Sequence, residues 1–226
     1  MKAFIFDMDG VLIDSEPLHA RIKRETFRHY AIPFDEQELS RYVGRTSRAI
    51  FGDMLRRHHR EDLTVQEVTD YKHARYIEAL RHDGDIQPID GILPLCANLR
   101  AAGIPAALAS SSVRCVIHIV LERFGLDNFF QAVLSGAELP RSKPDPAVYL
   151  LAAERLGQKP EDCVVLEDAA AGIAAAKEAG MYCIAYRNPN SGRQDLSRAD
   201  RIVDHIQDIH VRDLQTLPQA MQGGAL

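Results

Sequence analysis

The strongest constraint on this chain is a set of short, continuously apolar runs: "AFIF" at 3–6, "IPAALA" at 104–109, "AVL" at 132–134, "CVVL" at 163–166, "YCIA" at 182–185 and "RIV" at 201–203. From residue 91 onward, helical patterns separate most of them. "ILPLCANLRAAG" (92–103) has apolar residues at three-to-four spacing and ends on a glycine suited to a left-handed cap. "DPAVYLLAAERLG" (145–157) offers Asp145 as N-cap and Pro146 at the first helical position, and "AAAGIAAAKEAG" (169–180) repeats the glycine ending. Strands alternating with helices of this length pair in parallel through right-handed crossovers. Runs that stay apolar instead of alternating belong to a sheet covered on both faces. The expected fold is α/β: a Rossmann-like parallel sheet sandwiched between helices.

Residues 15–88 break this rhythm with helical patterns at 15–30, 35–43, 46–59 and 64–82 and no convincing strand. The segment carries six of the nine histidines, and "DGDIQPIDG" supplies a linker at its end. The expected organisation is an α/β core of 1–14 and 89–226 with an inserted α-helical cap domain at 15–88.

Charge and length narrow the function. A formal net charge of −5 argues against nucleic acid as a partner. No stretch reaches the ~18 apolar residues of a membrane span, and the first strand begins without a leader-like segment. Cys96, Cys115, Cys163 and Cys183 are widely spaced, as reduced and mostly buried thiols of a cytoplasmic protein would be. "RRHHR", with His58 and His59, reads as a solvated helix face.

Parallel sheets bind ligands beyond the carboxyl ends of their strands. The first run is followed by Asp7 and Asp9, the second by Ser110, Ser111 and Ser112, "AVL" by "RSKPDP" with Lys143, and "CVVL" by Glu167 and Asp168. Carboxylates gathered at one edge cannot all stay ionised without a cation. Asp7 and Asp168, with Glu167, suit Mg²⁺, which takes oxygen ligands and leaves room for water and phosphate. Lys143 and Ser110 complement an anion, so the set describes a site for a phosphoryl group.

In order along the chain, "DMDGVLIDSE", "LASSS", "SKPDP" and "LEDAAAG" resemble the four motifs of the haloacid dehalogenase superfamily, in its branch of β-phosphoglucomutases and sugar-phosphate phosphatases. The resemblance implies that Asp7 attacks phosphorus and that Asp9 moves the proton, with its backbone carbonyl facing Mg²⁺. It implies that Ser110 binds a phosphoryl oxygen, that Lys143 neutralises charge, and that Asp168 binds Mg²⁺ with Glu167 direct or through water. Ser111 and Ser112 either touch phosphate or begin the following helix with Ser112 as N-cap; Asp14 reads as a hinge or cap residue.

The helical segment is expected to select the substrate. Arg45 and Arg48 in "YVGRTSRAI" are candidates to hold a second anionic group, and His19 faces the domain junction as a packing or substrate-binding residue. Counting back from Gly91 without gaps puts Glu78 where the mutases resemble one another in a lysine, and Arg48 stands one position from the mutase arginine. Lys23 and Lys72 are the segment's two lysines, and neither has the context of a Schiff-base residue. The expected activity is therefore hydrolysis of a small phosphorylated metabolite by a monomer, ahead of phosphoglucomutase or a non-catalytic regulatory role.

Overall fold

The computed structural model describes residues 1–40, 42 and 46–215. Two compact units are formed, Met1–Asp14 with Asp85–Leu226, and Ser15–Gly84. The first unit is built on a six-stranded parallel sheet: β1 (Ala3–Phe6), β2 (Ala106–Ser110), β3 (Ala132–Ser135), β4 (Cys163–Glu167), β5 (Tyr182–Tyr186) and β6 (Arg201–Val203). Its order is β3-β2-β1-β4-β5-β6, so the topology reverses at the middle of the sheet. β1 pairs with β2 (Phe4 opposite Ala106) on one side and with β4 (Phe4 opposite Val164) on the other. The carboxyl ends of β1 and β4 thus lie side by side at the switch point, where doubly wound sheets place their ligands.

Every residue of β1, β2 and β4 is buried, which accounts for the unbroken apolar runs. Ala3 and Ile5 join a core with Val148, Tyr149, Ile173 and Ala176. Phe4 and Phe6 pack against one another, and Phe6 lies edge-on to Phe129 and Phe130.

The second unit contains α1 (Glu16–His29), α2 (Glu36–Ser40), α3 (Ser47–Arg57) and α4 (Val65–His82), and no strand among its described residues. Thr46 and Thr64 cap α3 and α4 through their hydroxyls, at 3.3 Å to the Ala49 N–H and 3.1 Å to the Glu67 N–H. Phe27, Ile50, Phe51, Met54 and Val68 form a core of its own.

In the first unit the helices are α5 (Ile92–Ala101), α6 (Arg114–Phe124), α7 (Ala147–Arg155), α8 (Ala170–Glu178) and α9 (Val211–Gln215). Two helix starts differ from the sequence reading. The N-cap of α6 is Val113, because Ser112 is engaged elsewhere, as described below. The N-cap of α7 is Pro146, one residue later than expected, although the Asp145 carboxylate still accepts the Ala147 N–H at 3.0 Å. Among the described residues, no helix is long and apolar enough to cross a membrane.

Candidate active site

β1 stops at Phe6, and the chain then turns tightly: Gly10 has φ +82°, its N–H donates to the Ile13 carbonyl at 2.7 Å, and the Leu12 N–H donates to Met8 at 2.8 Å. Asp7 still extends the β1–β4 ladder, donating its N–H to the Leu166 carbonyl at 3.0 Å. The turn answers the apparent clash of two aspartates two residues apart. They leave the pleat before it can align them, and each finds its own donor.

For Asp7 the donor is Lys143. Its Nζ donates to Asp7 Oδ1 at 2.6 Å, to Glu167 Oε1 at 2.7 Å and to the Ala109 carbonyl at 3.0 Å, tying the ends of β1, β2 and β4 together. Burial opposes the lysine's charge, but Asp7 and Glu167 outweigh it and hold the ammonium protonated. For Asp9 the donor is the Ser112 hydroxyl, 2.7 Å from Oδ2. Ser112 also donates its N–H to Ser110 Oγ at 3.0 Å and accepts from the Ser135 hydroxyl at 2.7 Å, so this serine ties β2, β3 and the Asp9 loop and cannot cap α6. Ser110 is buried at the end of β2; Ser111 is exposed. The other Asp9 oxygen, Oδ1, is buried with no hydrogen-bond partner, an acceptor held ready.

Glu167 is the most heavily bound acid. Oε1 accepts from Lys143 and from the Tyr149 hydroxyl at 2.7 Å, while Oε2 accepts the Asp168 and Ala169 N–H groups at 3.0 and 3.1 Å. Four donors fill its four lone-pair directions. The Tyr149 ring also lies 4.7 Å from the lysine Nζ. Gly172 of α8 makes room for this carboxylate: a Cβ there would sit 1.7 Å from Oε1. In the same way a Cβ on Gly10 would come within 2.0 Å of Asp168 Oδ2.

Asp7, Glu167 and Asp168 present oxygens within 4.8 Å of one another, all buried. Burial drives the Asp7 carboxyl upward, with Glu167, Asp168 and Asp9 reinforcing the push against Lys143. Asp168 is pushed up to about 7 by burial and then by Glu167, despite the hydroxyl of Ser191. Buried acids that resist ionising, hard oxygen donors and one already saturated partner make this cluster able to hold a divalent cation.

Residues 1–180 match the haloacid dehalogenase-like hydrolase family. The chain belongs to that family. Two curated relatives of this hydrolase are hexitol phosphatase B of Escherichia coli, 34% identical over 94% of this chain and 96% of its own, and fructose-1-phosphate phosphatase YqaB of the same organism, 32% identical over 81% and 95%. CbbY from Rhodobacter sphaeroides, solved with phosphate, superimposes with a TM-score of 0.80 at 27% identity over 95% of this chain and 99% of that one. A β-phosphoglucomutase from Clostridium difficile shares the fold at a TM-score of 0.73 and 24% identity, over 95% and 96%.

The hydrolase gathers Asp7, Asp9, Ser110, Lys143, Glu167 and Asp168 in its first unit. Arg45 lies outside the described residues. Arg48 is exposed on α3 and its guanidinium donates to Gln66 Oε1 at 2.9 Å. His19 lies in the helical unit, its ring stacked on Tyr76 with centroids 4.2 Å apart. Burial, then Lys72, drives its pKa down to about 3, so the ring is neutral and Nδ1 faces Lys72 Nζ at 2.9 Å.

Sequence reasoning passed over Lys72, which is buried on α4, whereas Glu78 on the same helix is exposed and pairs with Arg75. Only the environment of a helical lysine, not its spacing from Gly91, distinguishes the two. Tyr149 was also missed. Its signal was a tyrosine on the apolar face of α7, six residues after Lys143, because a buried tyrosine needs a partner for its hydroxyl.

Proposed function

We propose that this chain is a Mg²⁺-dependent phosphatase that hydrolyses a small phosphorylated metabolite, a sugar phosphate, through an aspartyl-phosphate intermediate. The observation that carries the reading is Lys143, whose buried ammonium bridges Asp7 and Glu167 beside Asp168. The named phosphatase relatives support it.

Asp7 and Asp168 would hold the cation, together with the Asp9 backbone carbonyl. Glu167, whose oxygens already carry four donors, would act through Lys143 and through water. The bound cation supplies charge stabilisation for the phosphoryl oxygens and lowers the cost of ionising Asp7.

Asp7 attacks phosphorus, and Asp9 delivers a proton to the departing alkoxide. In the second half Asp9 removes a proton from water, which attacks the aspartyl phosphate and releases inorganic phosphate with Asp7 regenerated. The unpartnered Oδ1 of Asp9 is the atom for this transfer, since Oδ2 is held by Ser112. Ser110 and Ser111 would receive the phosphoryl oxygens, with Lys143 neutralising charge that grows in the transition state. The rest of the substrate would be read by the helical unit, with Arg48 and His19 as candidate contacts and Lys72 backing His19.

The test is phosphate release from p-nitrophenyl phosphate and a panel of sugar phosphates, with a coupled assay for conversion of β-glucose 1-phosphate to glucose 6-phosphate. Activity should require Mg²⁺, vanish in EDTA, and vanish in Asp7→Asn without loss of fold. Near wild-type turnover in that variant rejects Asp7 as nucleophile, and net isomerisation exceeding phosphate release rejects hydrolysis in favour of the mutase.

A further inference from the structure

The loop after β5 played no part in the sequence argument, yet it reaches three positions of the candidate site. Asn188, buried and 6% exposed, donates through Nδ2 to the Gly10 carbonyl at 3.0 Å. Its Oδ1 accepts the Asn190 N–H at 2.8 Å, which fixes the amide at both ends. Asn190 Nδ2 donates to Asp14 Oδ2, and the Ser191 hydroxyl donates to Asp168 Oδ2. Gly10 follows β1 and Asp168 follows β4, and the two are in such close approach that Gly10 has no room for a side chain. One four-residue segment therefore holds both loops that meet at the sheet's switch point.

A carboxylate left to itself turns about its last torsion and offers either oxygen to a cation. A hydroxyl on Oδ2 fixes the plane of Asp168 and leaves Oδ1 to ligate. Groups of this kind, one bond removed from a metal, change its affinity by about 10- to 100-fold when lost. We propose that Ser191 is a positioning residue for the divalent cation and that the Asn188–Ser191 segment forms the outer layer of that site. The proposal rests on the reading of Asp168 as a ligand.

The test is Mg²⁺ binding to the substrate-free full chain by isothermal titration calorimetry. The variants are Ser191→Val, which keeps the branched shape of threonine without a hydroxyl, Ser191→Thr, which keeps the hydroxyl, and Asp168→Asn. Ser191→Val should raise the Mg²⁺ dissociation constant by roughly 10- to 100-fold, Ser191→Thr should stay close to wild type, and Asp168→Asn should abolish binding. Activity lost by Ser191→Val at low Mg²⁺ should return as the ion is raised. Ser191→Ala, which demands no extra space, gives the same readout if the valine distorts the loop by circular dichroism. If the valine and alanine variants bind Mg²⁺ like wild type while Asp168→Asn does not, Ser191 has no such role and the cation site stands. Equal weakening by threonine and valine also overturns it, since the hydroxyl would not be the cause. If Asp168→Asn binds as wild type does, the ligand reading falls and the role of Ser191 falls with it.

Discussion

Replacing Asp168 by asparagine should stabilise the metal-free protein at neutral and alkaline pH. In the fold its carboxyl is raised from 3.8 to about 7, first by burial and then by Glu167. The folded chain therefore holds a proton that the unfolded chain has released between these values. Stability is full below about pH 4 and is lost as pH rises through about 7. A difference of about three pKa units corresponds to about 4 kcal/mol, at ~1.4 kcal/mol per unit. Asp168 is 5% exposed, so solvent screening removes little of this. Asparagine carries no charge and can still accept from Ser191, but its NH₂ group must be accommodated at a cost of about 1–3 kcal/mol. The net expectation is a gain of roughly 2 kcal/mol near pH 8 and a loss of roughly 2 kcal/mol near pH 4, where only the cost of the amide remains. Mg²⁺ should invert the order: at about 100 times its dissociation constant it adds ~2.7 kcal/mol to wild type and nothing to the variant. Urea unfolding followed by circular dichroism, in EDTA and then in Mg²⁺ at both pH values, measures all four numbers. A variant that is less stable than wild type in EDTA near pH 8 would refute the electrostatic account of the cluster.

Two further substitutions probe how Glu167 is held. Tyr149→Phe keeps the ring beneath Lys143 and removes one donor from a buried carboxylate, so it should cost about 1.5–3 kcal/mol in urea unfolding. Gly172→Ala would gain up to ~1 kcal/mol from helix propensity alone. Its Cβ would instead stand 1.7 Å from Glu167 Oε1, so the variant should lose stability and phosphatase turnover together, and a stabilised, active Gly172→Ala would contradict the packing described.

What was legible in the sequence divides along a physical line. The six strands coincide with the apolar runs to within about two residues; for β1, β2 and β4 the reason is that a strand buried on both faces leaves an unbroken apolar signature. The acids and serines were legible by position, since they end or closely follow strands whose carboxyl ends lie at the ligand edge, and Lys143 comes in the longer loop that follows β3. The supporting contacts were not. Tyr149, Gly172, Ser191 and Asn188 act through closeness to a carboxylate or a carbonyl in another loop, and one-dimensional spacing carries no record of that approach. Gly172 looks like any helical glycine until the 1.7 Å clash is drawn. Ser112 was ambiguous for a related reason: a serine before a helix usually caps it, but here the half-buried Asp9 competes for the same hydroxyl and wins, at 2.7 Å. A hydrogen bond to a charged acceptor is worth about twice one to a neutral partner. An unsatisfied carboxylate also costs more than an uncapped N–H that water can reach. The rule that wins at Ser112 is also the one followed by Lys143 and Tyr149, whose donors go to the acids of the site.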